Sequence, residues 1–452
     1  MNMNKAQLLW HSVFKPFPIQ KVFTPASSAD LTFVRRTNIE RKFRSQFKVC
    51  GRQIIVYGHS GSGKTTFLNK YFNENKVDYV TVHCDTSMSF EQVLLNTFDQ
   101  LGLFYTHTRS IEEMNGTTIG GGVEVTGLIG DTEYTSSQTR VSNYARLVNP
   151  QLTSQRLADT LGAANKVLVI EDFHKLAEPE KKRLADMLKV FIDKANQYPN
   201  LKVICIGAVD TAREIVKLDN NLKQRVYECE IPLLTDTEIE AIVKQGCKLL
   251  NIVMTQDLVE RIVHYSNQLG ALAHQLSYDM CESNGITRTQ IKTKQLTGEH
   301  FESAIESYID ARSDTLMEIY DRAVKDPLGW YILRTFSNQP QSKMSLKVIS
   351  KSVNTPEHPF SENEIVLKLA ELCTAEVGIL RSNFNSALFM VSDPFWGAFI
   401  KMRIAKEQAD NDKAYKNQGN RNLQLQNQND VEAILLRVLL QKYNPNKELL
   451  HQ

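Results

Sequence analysis

The chain has 452 residues, which at about 150 residues per domain suggests two to four domains. Apolar residues make up 42% and charged residues 23%, values typical of a soluble globular protein, and no apolar stretch is long enough to predict a membrane-spanning helix. Lysine and arginine number 53 against 51 aspartate and glutamate residues, and this net charge of +2 indicates no polyanionic partner by itself. We therefore expect a cytoplasmic protein without a membrane partner.

Residues 1–32 are interpreted as an N-terminal arm, because they contain three prolines and lack the apolar segment of a signal peptide. Residues 1–52 carry ten lysines and arginines but only two acidic residues, so positive charge is concentrated at this end.

Seven cysteines are scattered along the chain without a Cys-x-x-Cys pair. This pattern predicts reduced, mostly buried thiols and argues against disulfides or a zinc site.

Residues 33–230 alternate short apolar segments with helical patterns, which is typical of a parallel sheet covered by helices. Four segments rich in valine and isoleucine are predicted as strands that are buried on both faces. They are Gln53–Tyr57, Tyr79–His83, Lys166–Ile170 and Lys202–Ile206. A glycine-rich insert at about residues 108–145 departs from this pattern, and a small hairpin and a mobile loop explain it equally well.

A phosphate-binding motif follows the first predicted strand. The residues Gly58-His59-Ser60-Gly61-Ser62-Gly63-Lys64-Thr65 fit the pattern G-x-x-x-x-G-K-[ST], and a helix is predicted from Thr65 to Tyr71. Glycines let backbone N–H groups surround a pyrophosphate at a helix N-terminus. Lys64 is expected to contact the β- and γ-phosphates and the Thr65 hydroxyl to bind Mg²⁺, and we also assign Thr66 to the nucleotide contacts. The alternative is a glycine-rich turn before a helix; we favour a site for ATP and Mg²⁺.

Two carboxylates, Glu171 and Asp172, end the third predicted strand. P-loop NTPases need one carboxylate there for Mg²⁺ and one that orients and deprotonates the attacking water. The usual order is Asp then Glu, and here it is reversed. Position assigns Glu171 to the metal and Asp172 to the water, and the shorter aspartate predicts slow hydrolysis. The alternative is that both are ordinary polar residues where a strand leaves the sheet.

Further candidates follow the strand that ends near residue 206. Asp210 and Thr211 are placed to sense a γ-phosphate, and capping of the next helix explains them equally well. Arg225 ends the stretch that begins at Asn220. It is placed to reach the γ-phosphate of a neighbouring subunit as an arginine finger, and the alternative is a surface arginine.

The rest of the chain is predicted to be mainly helical. Residues 231–311 show consecutive helical patterns, and the first helix opens with the capping box Thr235–Glu238. Residues 312–407 combine helices with a hairpin-like pair of strands. Residues 408–452 begin with an Asn/Gln-rich stretch, which predicts a solvated linker, and end with an apolar helix over Val431–Leu440.

The order of these motifs resembles AAA+ and STAND-type P-loop ATPases, especially prokaryotic relatives of origin-recognition ATPases. The resemblance covers about residues 33–407. Besides the phosphate-binding loop it rests on four stretches of sequence: Phe33–Arg36, VLVIEDFHKL, KVICIGAV with the NNLKQRV stretch after it, and Phe389–Trp396.

The resemblance implies a fold and further site residues. Phe33 and Arg36 would lie beside the adenine, residues 231–311 would form a helical lid, and residues 312–407 would form a winged helix. The fold class expected is therefore α/β, a P-loop NTPase core followed by an all-α lid and a winged-helix domain. Two lid positions depart from the relatives: Leu272 replaces a proline common in STAND proteins, and His274 is the nearest basic residue where origin-recognition relatives usually have a sensor arginine.

Two functions fit this chain. The first, which we favour, is an ATP-driven switch whose nucleotide state controls homo-oligomerisation or an effector protein; bacterial proteins that look like this often act in defence against phages or mobile elements. The second is a DNA-acting ATPase, such as an initiator, a helicase loader or a regulator of transposition or recombination. Nucleic acid is therefore a candidate partner that we do not favour.

Charge in the predicted winged helix gives the reason. Residues 326–406 carry nine basic and seven acidic residues, and the predicted recognition helix opens with Ser361–Glu364, which includes two glutamates. Lysines at 343, 347 and 351 have the spacing of one helix face, although a solvated stripe is the commoner explanation. A basic cluster near the N-terminus is the better nucleic-acid candidate: Arg35, Arg36, Arg41, Lys42, Arg44, Lys48 and Arg52.

Overall fold

A computed structural model describes residues 16–102, 153–208, 222–340, 342–354, 359–383 and 388–426. The glycine-rich insert, Asp210, Thr211 and the predicted helix Val431–Leu440 lie outside the described residues. The chain forms two compact units, one made of residues 1–263 and 268–297 and the other of residues 264–267 and 298–452. None of the described helices combines the length and the apolar character needed to cross a bilayer.

The first unit is built on a five-stranded parallel sheet of order β2-β3-β4-β1-β5. Its strands are β1 (Gln53–Tyr57), β2 (Tyr79–His83), β3 (Val167–Glu171), β4 (Val203–Gly207) and β5 (Val226–Glu230). The predicted α/β sheet is therefore confirmed, with β3 and β4 shifted by one residue. β2 was expected to be buried on both faces, but it lies at an edge of the sheet and its side chains alternate between buried and accessible.

Helices cover both faces of the sheet because neighbouring strand residues point to opposite sides. The helices of the first unit are α1 (Ile19–Val22), α2 (Thr37–Phe47), α3 (Lys64–Asn75), α4 (Phe90–Gln100), α5 (Ser154–Ala163), α6 (Glu178–Asp193), α7 (Asp236–Leu250), α8 (Gln256–Ser266, which continues into the second unit) and α9 (Gly270–Ser283). Ile54 and Val56 pack with α2 and α3, whereas Ile55 packs with α4, α5 and α6. Single-turn 3₁₀ helices occupy Phe173–Lys175 and Lys194–Asn196.

The region after β5 contains the predicted helices together with a short sheet. The capping box is confirmed, since the Thr235 hydroxyl accepts from the Glu238 N–H and the Glu238 carboxylate accepts from the Thr235 N–H. The region is not entirely helical, because β6 (Ile252–Val253) and β7 (Lys294–Gln295) form a parallel pair. We keep the name lid for residues 231–297.

The described part of the N-terminal arm packs on the lid. The Phe23 ring lies so close to Gly246 that a Cβ atom there would be 2.2 Å from Phe23 Cζ. The Thr24 N–H donates to His274 Nδ1 at 3.0 Å, and burial lowers the pKa of His274 to about 4. His274 is therefore a neutral acceptor that holds the arm, and it does not supply the positive charge of a sensor arginine.

The second unit combines seven helical segments with a three-stranded antiparallel sheet among its described residues. The helical segments are α10 (Gly298–Asp310), a π-helical turn (Ser313–Met317), α11 (Glu318–Ala323), α12 (Pro327–Asn338), α13 (Leu346–Val353), α14 (Glu362–Leu372) and α15 (Pro394–Gln426). The strands are β8 (Met344–Ser345), β9 (Leu380–Asn383) and β10 (Leu388–Val391), in the order β8-β10-β9. β9 and β10 form the expected pair.

Two features of this unit differ from expectation. α15 continues to Gln426, so the stretch from residue 408 to 426 is helical where a linker was predicted. Extending a helix that is already anchored by buried residues costs less than nucleating one, and the Lys, Gln and Ala residues here are good helix formers. Lys343 precedes α13, so only Lys347 and Lys351 lie on that helix.

All seven cysteines are free and four are buried, as expected.

Candidate functional site

The loop between β1 and α3 has the backbone that its glycines predict. Gly61 and Gly63 adopt φ of 74° and 87°, in the left-handed region that favours glycine. Gly58 has no room for a side chain, because a Cβ atom there would lie 2.2 Å from the carbonyl oxygen of Ile231. The loop therefore turns tightly at the carboxyl end of β1 and directs the first N–H groups of α3 towards any group bound there.

Lys64 is the first residue of α3 and folds back over the loop. Its Nζ donates hydrogen bonds of 2.9 Å to the carbonyl oxygens of Gly58 and His59. Burial lowers the pKa of Lys64, while the charges of Asp172 and Glu171 oppose that shift. A half-buried ammonium facing two carboxylates and a ring of backbone dipoles is suited to bind an anion.

Glu171 lies at the carboxyl end of β3 and reaches the loop. The Thr65 hydroxyl lies near this carboxylate and favours its charged form. Burial raises the pKa of Glu171, and the neighbouring His83, Thr65 and Lys64 oppose this shift. A hard cation beside this carboxylate would favour its charged form, so Thr65 and Glu171 fit the oxygen donors that Mg²⁺ prefers. The structure thus brings together the two residues predicted to serve the metal.

His83 is a residue of this site that the sequence did not reveal. It ends β2 in register with Glu171 of β3, and its Nδ1 lies 3.6 Å from Glu171 Oε2. The sequence contained part of this information, because β2 and β3 were both predicted and the last residues of parallel strands lie at the same end of the sheet. The two strands had not been predicted to be neighbours, so the contact was missed.

Asp172 has a backbone conformation that explains its identity. Its φ is 56°, in the left-handed region that aspartate tolerates better than glutamate. The reversed order of the two acids therefore places the shorter side chain where the chain turns sharply out of β3. Its Oδ2 accepts from Lys175 Nζ at 2.7 Å, at a partly exposed position. Asp172 must leave this ion pair if it is to act on a water molecule.

Two buried donors beside the loop have no hydrogen-bond partner among the described residues: the Ser62 hydroxyl and Nη2 of Arg36. Arg36 donates through Nη1 to the Pro232 carbonyl at 2.6 Å, and its Nε lies 3.6 Å from Glu238 Oε1. Pro232 follows Ile231, whose carbonyl packs against Gly58. Arg36 is thus close to the loop, and buried polar groups without partners indicate a place for a ligand.

Three further predicted contacts lie on the loop, in α3 or beside it. Ser60 is exposed at the outside of the loop, and Thr66 is half-buried in the first turn of α3. The Phe33 ring lies 5.9 Å from Lys70 Nζ, also on α3. That Phe33 and Arg36 flank a base stays a prediction.

Arg225 lies at the amino end of the parallel strands, whereas the phosphate-binding loop lies at their carboxyl end. Its carbonyl accepts from the Gln53 N–H, so it lies beside the first residue of β1, whereas the loop follows the last. Five residues of extended strand span about 16 Å. The side chain is 56% exposed, and Nη1 lies 3.7 Å from Asp193 Oδ1. Arg225 therefore has no route to the phosphate loop of its own chain.

Comparison with known proteins agrees with this geometry. Residues 51–215 match the model of a family described as an AAA domain. No curated protein sequence matches the chain.

Several solved structures are similar over most of their length. The Walker-type ATPase PABY2304 of Pyrococcus abyssi is 12% identical with a TM-score of 0.48, over 82% of this chain and 100% of that chain. The ORC2 protein of Aeropyrum pernix is 11% identical with a TM-score of 0.47, over 87% of this chain and 100% of that one. The RuvB Holliday junction branch migration motor of Thermotoga maritima is 12% identical with a TM-score of 0.41, over 80% and 94% respectively. The parallel sheet, its phosphate-binding loop and the AAA-domain match give this chain a P-loop ATPase fold.

Proposed function

We propose that the protein binds ATP with Mg²⁺ at this loop, hydrolyses it slowly, and uses the nucleotide state as a switch that controls self-assembly or an effector protein. The observation that carries the proposal is the proximity of Glu171 to Thr65 and Lys64, on a loop where Lys64 supplies the positive charge. Phosphoryl transfer needs these three groups together.

Each residue has a separate role in this proposal. Lys64 exchanges its carbonyl partners for phosphate oxygens, and Thr65 with Glu171 holds Mg²⁺, which when bound neutralises charge on the phosphates. Asp172 accepts a proton from the attacking water and orients it. Arg225 completes the site of a neighbouring subunit, which makes the active form a homo-oligomer.

The junction between the phosphate-binding loop, Arg36 and the lid supports a switch. Ile231 and Pro232, the first residues of the lid, pack against Gly58 and bond to Arg36. A nucleotide that contacts both the loop and Arg36 would have a higher affinity for one position of the lid than for others. A switch requires such a difference in affinity between two conformations. We extend the proposal to a cytoplasmic, STAND-like protein acting in bacterial defence, on the resemblance alone.

The two carboxylates give the first test of these roles. We expect Asp172→Asn to lower the rate of ATP hydrolysis by about 10²–10⁴-fold while ATP affinity changes little, because only proton acceptance is lost. Glu171→Gln should instead weaken Mg²⁺-dependent binding by about 10–100-fold, since the neutral amide offers the cation no charged carboxylate. Titration with a fluorescent ATP analogue at several Mg²⁺ concentrations, beside turnover, measures both. If Glu171→Gln traps ATP with full affinity, the roles are reversed.

The α14 surface bears on the DNA-acting alternative. We propose that α12 to α14 with the β8-β10-β9 sheet form the expected winged helix, in which α14 is the recognition helix. Glu364 caps α14, since its carboxylate accepts from the Ser361 N–H at 2.8 Å. The exposed face continues with Glu362, Val366 and Leu367, and Leu367 is 71% exposed. An acidic and apolar face is poorly matched to phosphates.

We therefore expect no sequence-specific duplex binding through α14. Replacing Glu362 and Leu367 by alanine should change the affinity for any 30-base-pair duplex by less than about threefold, because neither side chain offers a phosphate contact. Competition between labelled and scrambled duplexes measures this. Salt-resistant selection of one sequence, abolished by the double substitution, would show that α14 reads DNA.

Three residues of the basic cluster near the N-terminus are also engaged within the chain. Arg35 bonds Glu40 and Glu74, Arg44 bonds Glu40, and Arg36 is buried. These ion pairs reduce the positive charge available to a nucleic acid at that cluster, so the structure does not strengthen it as a binding surface.

A further inference from the structure

A basic loop of the lid projects from the first unit and is held firmly at its base. It runs between α9 and β7, and its tip residue Ile291 is 100% exposed. On one side the Ile19 N–H donates to the Thr287 carbonyl and the Thr289 N–H donates to the Phe17 carbonyl, at 2.9 and 3.0 Å. These bonds fix the loop to the N-terminal arm.

The other side of the loop is fixed to the end of α7. The Gln290 N–H donates to the Leu250 carbonyl at 2.9 Å, Asn251 Nδ2 donates to the Gln290 carbonyl at 2.9 Å, and the Thr293 hydroxyl bonds Asn251 Oδ1 at 3.1 Å. Lys294 then pairs with Ile252 in the β6–β7 sheet. An isoleucine left in water at the tip of so well-anchored a loop is not explained by the fold.

The three segments that meet here carry only positive charge. Residues 16–29, 241–256 and 284–298 contain no aspartate or glutamate. Lys244 pairs with Glu240, whereas five cations have no acidic partner within 4.0 Å in the part of the chain that the structure describes. With Ile291 these cations define what we call the lid-loop surface: Lys21, Lys248, Arg288, Ile291, Lys292 and Lys294.

We propose that the lid-loop surface docks on the phosphate backbone of duplex DNA, with Ile291 entering the minor groove. Cations without an acidic partner beside exposed threonine and glutamine side chains match the groups that bind phosphate oxygens. The half-buried Lys294, whose Nζ donates to the Asn284 carbonyl at 3.1 Å, would exchange that bond for a phosphate. Apolar residues flanked by cations are used as wedges in the DNA minor groove. A membrane is the poorer match, because one isoleucine supplies only about 1.5–3 kcal/mol of burial.

This surface is separate from the nucleotide site and does not require ATP hydrolysis. DNA binding is thus assigned to the lid and not to α14 or to the basic cluster near the N-terminus. Because the lid also contacts Arg36 and Gly58 through residues 231 and 232, DNA on this surface would touch the same element that the proposed switch moves.

The test is the salt dependence of binding by the full-length chain to a fluorescein-labelled 30-base-pair DNA duplex. Five phosphate contacts predict that log K falls with log salt at a slope of about −4.5, or about 500-fold between 50 and 200 mM KCl. Lys248→Gln with Lys292→Gln should reduce the slope to about −2.7 and the loss to about 40-fold. Ile291→Ser should weaken binding with the slope unchanged, because it removes no charge.

A matched control removes the same charge elsewhere: Lys347→Gln with Lys351→Gln on α13 should leave affinity and slope unchanged. Thermal unfolding of both double variants checks that neither is destabilised. An unaltered slope in the Lys248/Lys292 variant, loss of binding in the α13 control, or preference for an RNA duplex or phosphatidylserine vesicles would overturn the proposal. Lys64→Ala should retain DNA binding, so failure of the ATPase proposal is recognised independently.

Discussion

We expect Lys64→Ala to abolish tight binding and turnover of Mg²⁺–ATP. The Lys64 ammonium lies at the loop and burial lowers its pKa, so a bound anion would stabilise a charge that the folded chain has partly removed from water. Truncating one member of a desolvated charge pair costs about 2–5 kcal/mol, which corresponds to roughly 30- to 4000-fold in affinity. Titration with a fluorescent ATP analogue measures the change.

The fold should survive this substitution. Lys64 is half-buried, and replacing its two bonds to carbonyl oxygens by water should cost about 1–2 kcal/mol of unfolding free energy. Phe67 and Leu68 of α3 remain buried against the sheet. The control is Lys42→Ala, which removes the same charge from the exposed surface of α2. Unchanged ATP affinity in a well-folded Lys64→Ala variant would contradict the central proposal.

The core could be predicted because each buried strand is a short apolar segment that can be recognised without knowledge of its neighbours. Parallel strands that are buried on both faces are continuous apolar segments, and β1, β3 and β4 have this composition. β5 reads Val-Tyr-Glu-Cys-Glu, which lacks such a segment because the strand lies at an edge of the sheet. β2 was found for its valines, but its edge position depends on strand order, which composition does not encode.

The site was predicted in part for the same reason. The phosphate-binding loop and the Glu171–Asp172 pair are contiguous motifs, and the structure places Lys64, Thr65 and Glu171 together. The contact of His83 with Glu171 depends on which strands are neighbours, and the left-handed conformation of Asp172 depends on how the chain leaves β3. Neither is a property of a single segment.

The arm shows the largest gap between pattern and structure. Its prolines indicated a separate N-terminal arm, but its packing depends on contacts of Phe23 with Gly246 and of Thr24 with His274, across more than 200 residues of sequence. A buried histidine and a sensing histidine look identical in a sequence. Burial decides between them, because it removes the positive charge that a sensor would need.

Arg225→Ala is expected to lower turnover by about 10³–10⁵-fold, the contribution of arginine fingers in other NTPases, while leaving ATP affinity nearly unchanged. A guanidinium presents a planar fork that matches the oxygens of a transferring phosphoryl group. Arg225 lies at the amino end of the parallel strands, and one strand length of about 16 Å separates it from the phosphate-binding loop of its own chain. It can therefore act only on the site of a neighbouring subunit. Its partly exposed side chain leaves it accessible for that contact.

Arg183→Ala is the matched control, because Arg183 pairs with Glu91 and Glu180 on the surface of α6 and should contribute little to turnover. The decisive measurement mixes two inactive variants. Arg225→Ala supplies an intact phosphate loop and Lys64→Ala supplies the arginine, so the mixture should recover part of the activity that each lacks alone. Turnover per subunit in the unaltered protein should also rise with concentration, since the finger arrives only on assembly. A mixture that stays inactive, with turnover independent of concentration, would place Arg225 among ordinary surface arginines.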